Sequence, residues 1–238
     1  MERWSIYIDI EGFSALYSEE SHVLNSLGML AEGILFIGRK HCPKTPERLF
    51  AHQTGDGFII VGEFGAEVLD QPLAISMALL RHVAKSGRYA KAAISQGEFA
   101  DVLGCFPPSV ADAAAAGKDG HIDLGEGLMT LFPVMGTALI RAVNLARESP
   151  SGPLLTVAST EKSRLPSGIL VRETSNPDVL AIDWIHSRLP LADSISFAAG
   201  LKNPSVDQLE ETLISYCRTQ KLSVDWVRNV GTYLGVSA

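Results

Sequence analysis

The chain has 238 residues, 46% of them hydrophobic, which is ample for a buried core and excludes an intrinsically disordered protein. Its 20 Lys and Arg against 27 Asp and Glu leave a formal net charge of −7. That balance argues against duplex nucleic acid as a partner, because such affinity comes largely from neutralising phosphates. The cysteines Cys42, Cys105 and Cys217 are too few and too scattered for a disulfide framework or a thiolate zinc site. Met1-Glu2-Arg3-Trp4 leads into an apolar run without a signal peptide's layout, and no run approaches the roughly 20 apolar residues that span a bilayer. A soluble, cytoplasmic protein is expected.

In chain order, Trp4 to Ile10 is a short β-rich run and predicts a strand. A helical pattern follows, with Phe13, Leu16, Tyr17, Leu24, Leu27, Ala31, Ile34 and Leu35 on one face and Gly38 and Pro43 closing it. Arg48 to Gln53 and Phe58 to Gly62 read as a hairpin joined across Thr54-Gly55-Asp56-Gly57. Pro72 to Ala84 predicts a helix and Lys91 to Ser95 a strand. From Cys105 to Gly127 the chain is rich in Pro, Ala and Gly and has no regular assignment. Met129 to Pro133 predicts a strand, Thr137 to Glu148 a helix with Leu139, Ala142, Val143 and Ala146 inward, and Leu154 to Ala158, Ile169 to Glu173 and Val179 to Asp183 the remaining strands. Beyond Pro190, Ser205 and Gln208 have capping-box spacing, and a last helix from Ser223 carries Trp226, Val230, Tyr233 and Leu234 on one face. The order predicts an α+β fold with helices packed on one antiparallel, ferredoxin-like sheet, over residues 1–190, and a helical extension over 191–238.

Two carboxylates stand out in that frame. Asp9 ends the first strand and Asp56 sits in the hairpin turn, and a ferredoxin-like sheet brings those two places to one end. Two hard oxygen donors suit Mg²⁺ whose other ligands are phosphates and waters. Ions there would lower the pKa of a ribose hydroxyl and neutralise a departing diphosphate. Glu11-Gly12-Phe13-Ser14 opens the next helix, whose free N–H groups and dipole suit a triphosphate. Taken singly, each feature is also what an ordinary strand end or turn looks like.

Taken together, Ile6 to Ser14 resembles the class III nucleotide cyclase signature, in which a strand ends in Asp-Ile-x-Gly-Phe, and Gly55-Asp56-Gly57-Phe58 resembles that family's second metal motif. Lys91 to Glu98 resembles the strand that follows, and the resemblance covers Trp4 to Trp184. It implies two Mg²⁺ or Mn²⁺ ions at Asp9, Ile10 and Asp56, a nucleoside triphosphate against Gly12, Phe13 and Ser14, and a homodimer with active sites at its interface.

The family's later motif departs here. A Gly followed by Asn and Arg one turn apart is expected, but counting from Gly136 gives Ile140 and Asn144. Thr137, Arg141, Asn144 and Glu148 share one polar face, so Asn144 is the first candidate for ribose or phosphate contact, with Arg141 and then Arg147 as the cation. The places that read adenine in the family correspond to His52 and Pro133. With Gly136-x-Ala138-Leu139-x-x-Ala142, this is similar to the bacterial Pycsar cyclases, which make cyclic UMP or cyclic CMP in antiphage defence and act through a separate effector protein. The expected activity is UTP to cyclic UMP and diphosphate, with CTP open. The alternatives are an adenylate or guanylate cyclase, or a non-catalytic nucleotide-binding module of the same fold.

Overall fold

The computed structural model describes residues 2–12, 20–42, 49–62, 69–117, 121–131 and 134–236. A seven-stranded sheet organises the chain, in the order β10-β11-β9-β4-β1-β3-β2. Its strands are β1 (Glu2–Ile10), β2 (Leu49–Thr54), β3 (Gly57–Gly62), β4 (Ala90–Glu98), β9 (Leu155–Ala158), β10 (Val171–Glu173) and β11 (Val179–Ile182). Neighbours run antiparallel except β4 and β9. The block β4-β1-β3-β2, with α1 (Glu20–Phe36) and α2 (Asp70–Ala84) as its connections, is the ferredoxin-like arrangement expected from the element order.

Alternation along β1 assigns the two faces of the sheet. Trp4, Ile6, Ile8 and Ile10 point into the main core, with Leu30, Ile34 and Ile37 of the first helical segment and most apolar positions of α2. Ser5, Tyr7 and Asp9 point the other way. That second face is covered by α4 (Thr137–Glu148), whose Leu139, Leu145 and Ala146 pack with Ile59, Val61 and Ala93. Gly97 lets α4 start close to β4, since a Cβ there would stand 2.6 Å from the Ala138 nitrogen.

Three readings of the sequence change. The buried stripe of α1 runs through Leu30, Ile34 and Ile37, and leaves Ala31 exposed with Leu24 at 61% and Leu35 at 45% exposure. Gly33 is the cause: a Cβ there would lie 2.8 Å from Leu79 of α2, so this side of α1 is the one that approaches. The helix also runs past Gly38, as a π-turn over Ile37–His41. Within Cys105 to Gly127 lie α3 (Pro108–Ala116) and one strand of a small hairpin, β6 (His121–Asp123) with β7 (Leu128–Thr130). Two-residue strands β5 (Ala100–Asp101) and β8 (Val134–Met135) pair beside it.

Three helices close the chain: α5 (Pro190–Ala199), α6 (Val206–Thr219) and α7 (Val224–Leu234). The capping box of α6 forms in full, with Ser205 accepting from the Gln208 N–H and Gln208 accepting from the Ser205 N–H. Leu209, Leu213, Trp226, Val230, Tyr233 and Leu234 join the same apolar cluster as the sheet. The closing helices therefore share one core with the sheet.

A polar clamp fastens α6. His186 Nδ1 meets Asp183 at 2.9 Å and Nε2 meets Glu210 at 2.9 Å, a geometry that uses both ring nitrogens as donors. Burial opposes the imidazolium, but the hydrogen bonds to Glu210 and Asp183 outweigh it and raise the pKa above the ordinary 6.5. The stabilisation is thus complete below about pH 6.5 and is lost as pH rises through the raised folded value. Chemical unfolding should show stability falling between pH 6 and pH 9 from this group, and Glu210→Gln should flatten that dependence. An unchanged slope in Glu210→Gln would remove the clamp from the account.

Candidate active site

Register brings Asp9 to a crowded end of the sheet. Asp9 lies opposite Gly57 on β3 and opposite Lys91 on β4. The turn at the end of the β2–β3 hairpin is Gly55-Asp56, with Gly55 at φ +64°, a left-handed conformation that favours glycine. The Ile10 N–H donates to the Asp56 carbonyl at 3.2 Å, which locks the hairpin tip against the end of β1. Gly57 is a condition of that closure, because a Cβ there would stand 2.8 Å from the Asp9 Cβ. On the far side of Gly57 in the register, Thr54 shares the Asp9 face.

Burial and neighbouring carboxylates dominate the electrostatics of this end. Burial, then the charges of Glu11 and Asp56, push the Asp9 carboxyl up to about 7, with Lys91 opposing. Burial, then the charges of Asp9 and Asp56, push the Tyr7 hydroxyl up to about 12. Asp9 Oδ1 and Thr54 Oγ1 are both buried without a hydrogen-bond partner among the described residues. Orphaned oxygens of this kind are costly unless something else satisfies them. The donor set of Asp9 and Asp56 therefore fits a hard divalent cation, whose remaining ligands would come from substrate and water. Among the described residues no group of three or more His, Cys, Asp or Glu could hold a metal by itself.

Three further residues complete this end, and only one of them had a local signal in the sequence. Lys91 donates to the Ser149 carbonyl at 3.2 Å and lies near Glu11 and Asp9, with its pKa lowered by burial. Its pairing with Asp9 follows from antiparallel register once β1 and β4 are known to be neighbours. Glu11 is raised by burial, against which the Trp226 hydrogen bond, the Lys91 charge and the Gly152 amide favour its carboxylate. Trp226 Nε1 donates to Glu11 Oε2 at 2.8 Å across a sequence separation of 215, which no local pattern reveals.

The other expected residues fall at different places. His52 lies opposite Ile59, which lies opposite Tyr7, so His52 is on the Asp9 face two strands away, about 10 Å at ordinary strand spacing. Burial lowers its pKa, which favours the neutral ring. Gly12 forms the turn after β1 with φ +74°. Phe13, Ser14 and Pro133 lie outside the described residues.

Thr137, Ile140, Arg141, Asn144, Arg147 and Glu148 are all exposed on α4. The helix runs from the Glu98 end of β4, where Thr137 accepts the Glu98 N–H, to the Lys91 end at Ser149. Arg141 donates to the Gln96 carbonyl at 3.1 Å, five residues along β4 from Lys91 and so about 17 Å from the Asp9 end. Arg147 is at the near end, where its charge is felt by the Tyr7 hydroxyl. One chain thus joins Asp9, Ile10, Asp56 and Gly12, brings Arg147 close, and keeps Arg141 apart with Asn144 turned to the surface. A cavity of about 680 Å³ lined by Lys85, Lys202, Asn203 and Gln208 includes none of these residues.

No family model matches the sequence, and no curated protein matches it. Among solved structures the chain is similar to a bacterial light-regulated adenylyl cyclase, at 14% identity and a TM-score of 0.44 over 84% of this chain and 58% of that one. It is similar to the guanylyl cyclase domain of the RhoGC fusion protein from the aquatic fungus Blastocladiella emersonii, at 10% identity and a TM-score of 0.47 over 76% of this chain and 92% of that one. A class III adenylyl cyclase-like ATP-binding protein from Pseudomonas aeruginosa is similar at 11% identity and a TM-score of 0.43, over 82% of this chain and 40% of that one. No described helix is long and apolar enough to cross a membrane.

Proposed function

We propose that this protein is a metal-dependent nucleotide cyclase that converts UTP to 3′,5′-cyclic UMP and diphosphate as a homodimer. The observation that carries the reading is the pair Asp9 and Asp56 locked at one sheet end, with Asp9 Oδ1 buried and unpartnered among the described residues. Two Mg²⁺ or Mn²⁺ ions held by Asp9, Asp56 and the Ile10 backbone would supply Lewis acidity to the ribose hydroxyl and to the diphosphate leaving group. Gly12 leaves the backbone open to close approach by phosphates. Lys91, opposite Asp9 in the register and held by the Ser149 carbonyl, adds a basic group at the same end. Arg147 faces the same end from α4, while Asn144, exposed on α4, and Arg141, anchored at Gln96, would serve the site of a second protomer. The product is then a messenger that a separate effector protein reads, which is the role a defence cyclase would have.

The base preference rests on His52. A neutral imidazole both donates and accepts, which matches the alternating carbonyl and N–H edge of uracil. A purine leaves part of its polar edge unpaired there, at roughly 1–3 kcal/mol for each buried group. With all four ribonucleoside triphosphates at equal concentration, UTP should be consumed at least about tenfold faster than ATP or GTP, and His52→Ala should narrow that gap. Dominant cyclic AMP or cyclic GMP would overturn the pyrimidine assignment while leaving the cyclase reading in place.

A further inference from the structure

Cross-strand register sets four residues in one row at the end of the sheet: Thr54 on β2, Gly57 on β3, Asp9 on β1 and Lys91 on β4. Residues paired in this way share a face, so Thr54 and Asp9 stand on either side of a glycine with Cα atoms about 10 Å apart. Asp9 crowds the glycine between them, since a Cβ on Gly57 would lie 2.8 Å from the Asp9 Cβ. Lys91, at the other side of Asp9, sends its ammonium to the Ser149 carbonyl at 3.2 Å. Asp9 Oδ1 and Thr54 Oγ1 are both buried without a partner among the described residues, so they do not bond each other either. A threonine beside a turn ordinarily spends its hydroxyl on the turn's own backbone. Here the turn is fastened without it, by Gln53 Nε2 donating to the Gly55 carbonyl at 3.0 Å and the Ile10 N–H donating to the Asp56 carbonyl at 3.2 Å. A valine would fill the same place, and a buried hydroxyl left without a partner costs stability.

We propose that Thr54 is a positioning residue of the metal site: its Oγ1 hydrogen-bonds an oxygen ligand of the ion that Asp9 holds, a water until substrate takes that place. The proposal rests on the cyclase reading of Asp9 and Asp56, and it adds an uncharged member to their set. The two orphaned oxygens in the row are then satisfied by one event, Asp9 by the ion and Thr54 by what the ion carries. A hydroxyl suits this part because it donates and accepts, and so serves either a water or a phosphate oxygen. Outer hydrogen bonds of this kind orient the bound ligand and raise metal affinity without adding charge to an already anionic end.

Mn²⁺ binding to the nucleotide-free, full-length protein, measured by calorimetry beside the metal-free melting temperature, tests it without reference to turnover. Thr54→Val keeps the size and the branched Cβ but loses the hydroxyl. It should weaken binding at least about fivefold. Its metal-free melting temperature should stay level or rise, because the orphaned hydroxyl is gone. Thr54→Ser keeps the hydroxyl and should bind Mn²⁺ within about twofold of wild type. Should Thr54→Val not fold, Thr54→Ala takes its place against Thr54→Ser. Wild-type affinity in Thr54→Val, or Thr54→Ser as weak as Thr54→Val, would overturn the proposal with the metal site intact. So would a loss of affinity matched by a fall in the metal-free melting temperature, the mark of a structural role. No Mn²⁺ binding to wild type, or unchanged binding in Asp9→Ala, would instead sink the metal assignment beneath it.

Discussion

Asp9→Ala and Asp56→Ala should each lower turnover by at least about 10³-fold without unfolding the protein. In the metal-free state Asp9 is an electrostatic burden: it is buried, flanked by Glu11 and Asp56, and has an oxygen with no donor among the described residues. Removing its charge relieves desolvation and repulsion, so at pH 7.5 metal-free Asp9→Ala should be as stable as wild type or steadier by roughly 1 kcal/mol. Added Mn²⁺ should raise the melting temperature of wild type and leave that of Asp9→Ala unmoved. A loss of activity accompanied by a fall in metal-free stability would point to a structural role and count against the assignment. Near-normal metal-dependent turnover in either variant would remove that residue from the metal site.

The second large effect concerns assembly. Asn144 is exposed on α4, and Arg141 is anchored at Gln96, far from the Asp9 end of the same chain. If these groups serve the partner's carboxylates, Asp56→Ala and Asn144→Ala should both be nearly inactive alone and should rescue each other when mixed. Random exchange makes half the dimers mixed, each with one intact site of two, so activity should return to about a quarter of wild type. Absence of rescue, with exchange confirmed by differently tagged protomers, would mean that each chain holds a complete site or that Asn144 takes no part. The result also ranks the cations, since Arg147 is near the Tyr7 hydroxyl of its own chain and needs no partner to reach that end.

Much of this site could be read from the sequence because its parts are local signals placed by a simple topology. Asp9 ends a strand whose alternation is visible, and Asp56 sits in a turn marked by two glycines. Element order alone says that β1 lies beside that hairpin. The helix α4 was visible for the same reason, down to the polar face that carries Asn144. What could not be read depends on distance along the chain or on close approach. Gly33 decides which side of α1 is buried, and nothing in the periodicity of α1 reports the Leu79 side chain it must admit. Trp226 looks like one more apolar position of a terminal helix until the fold sets its N–H against Glu11. Thr54 reads as a turn-flanking residue, and its buried hydroxyl, unpartnered among the described residues, appears only in three dimensions. The segment from Cys105 to Gly127 hid a helix because its Ala and Gly content weakens the apolar period on which the reading relies.

The most direct test of the central claim is to incubate the purified protein with Mn²⁺ and each of the four ribonucleoside triphosphates, resolving the products by mass. The account predicts a 3′,5′-cyclic monophosphate and an equal amount of diphosphate, greatest from UTP, absent without metal and absent in Asp9→Ala. Release of orthophosphate instead, or no consumption of any triphosphate by a dimer shown to bind Mn²⁺, would contradict it.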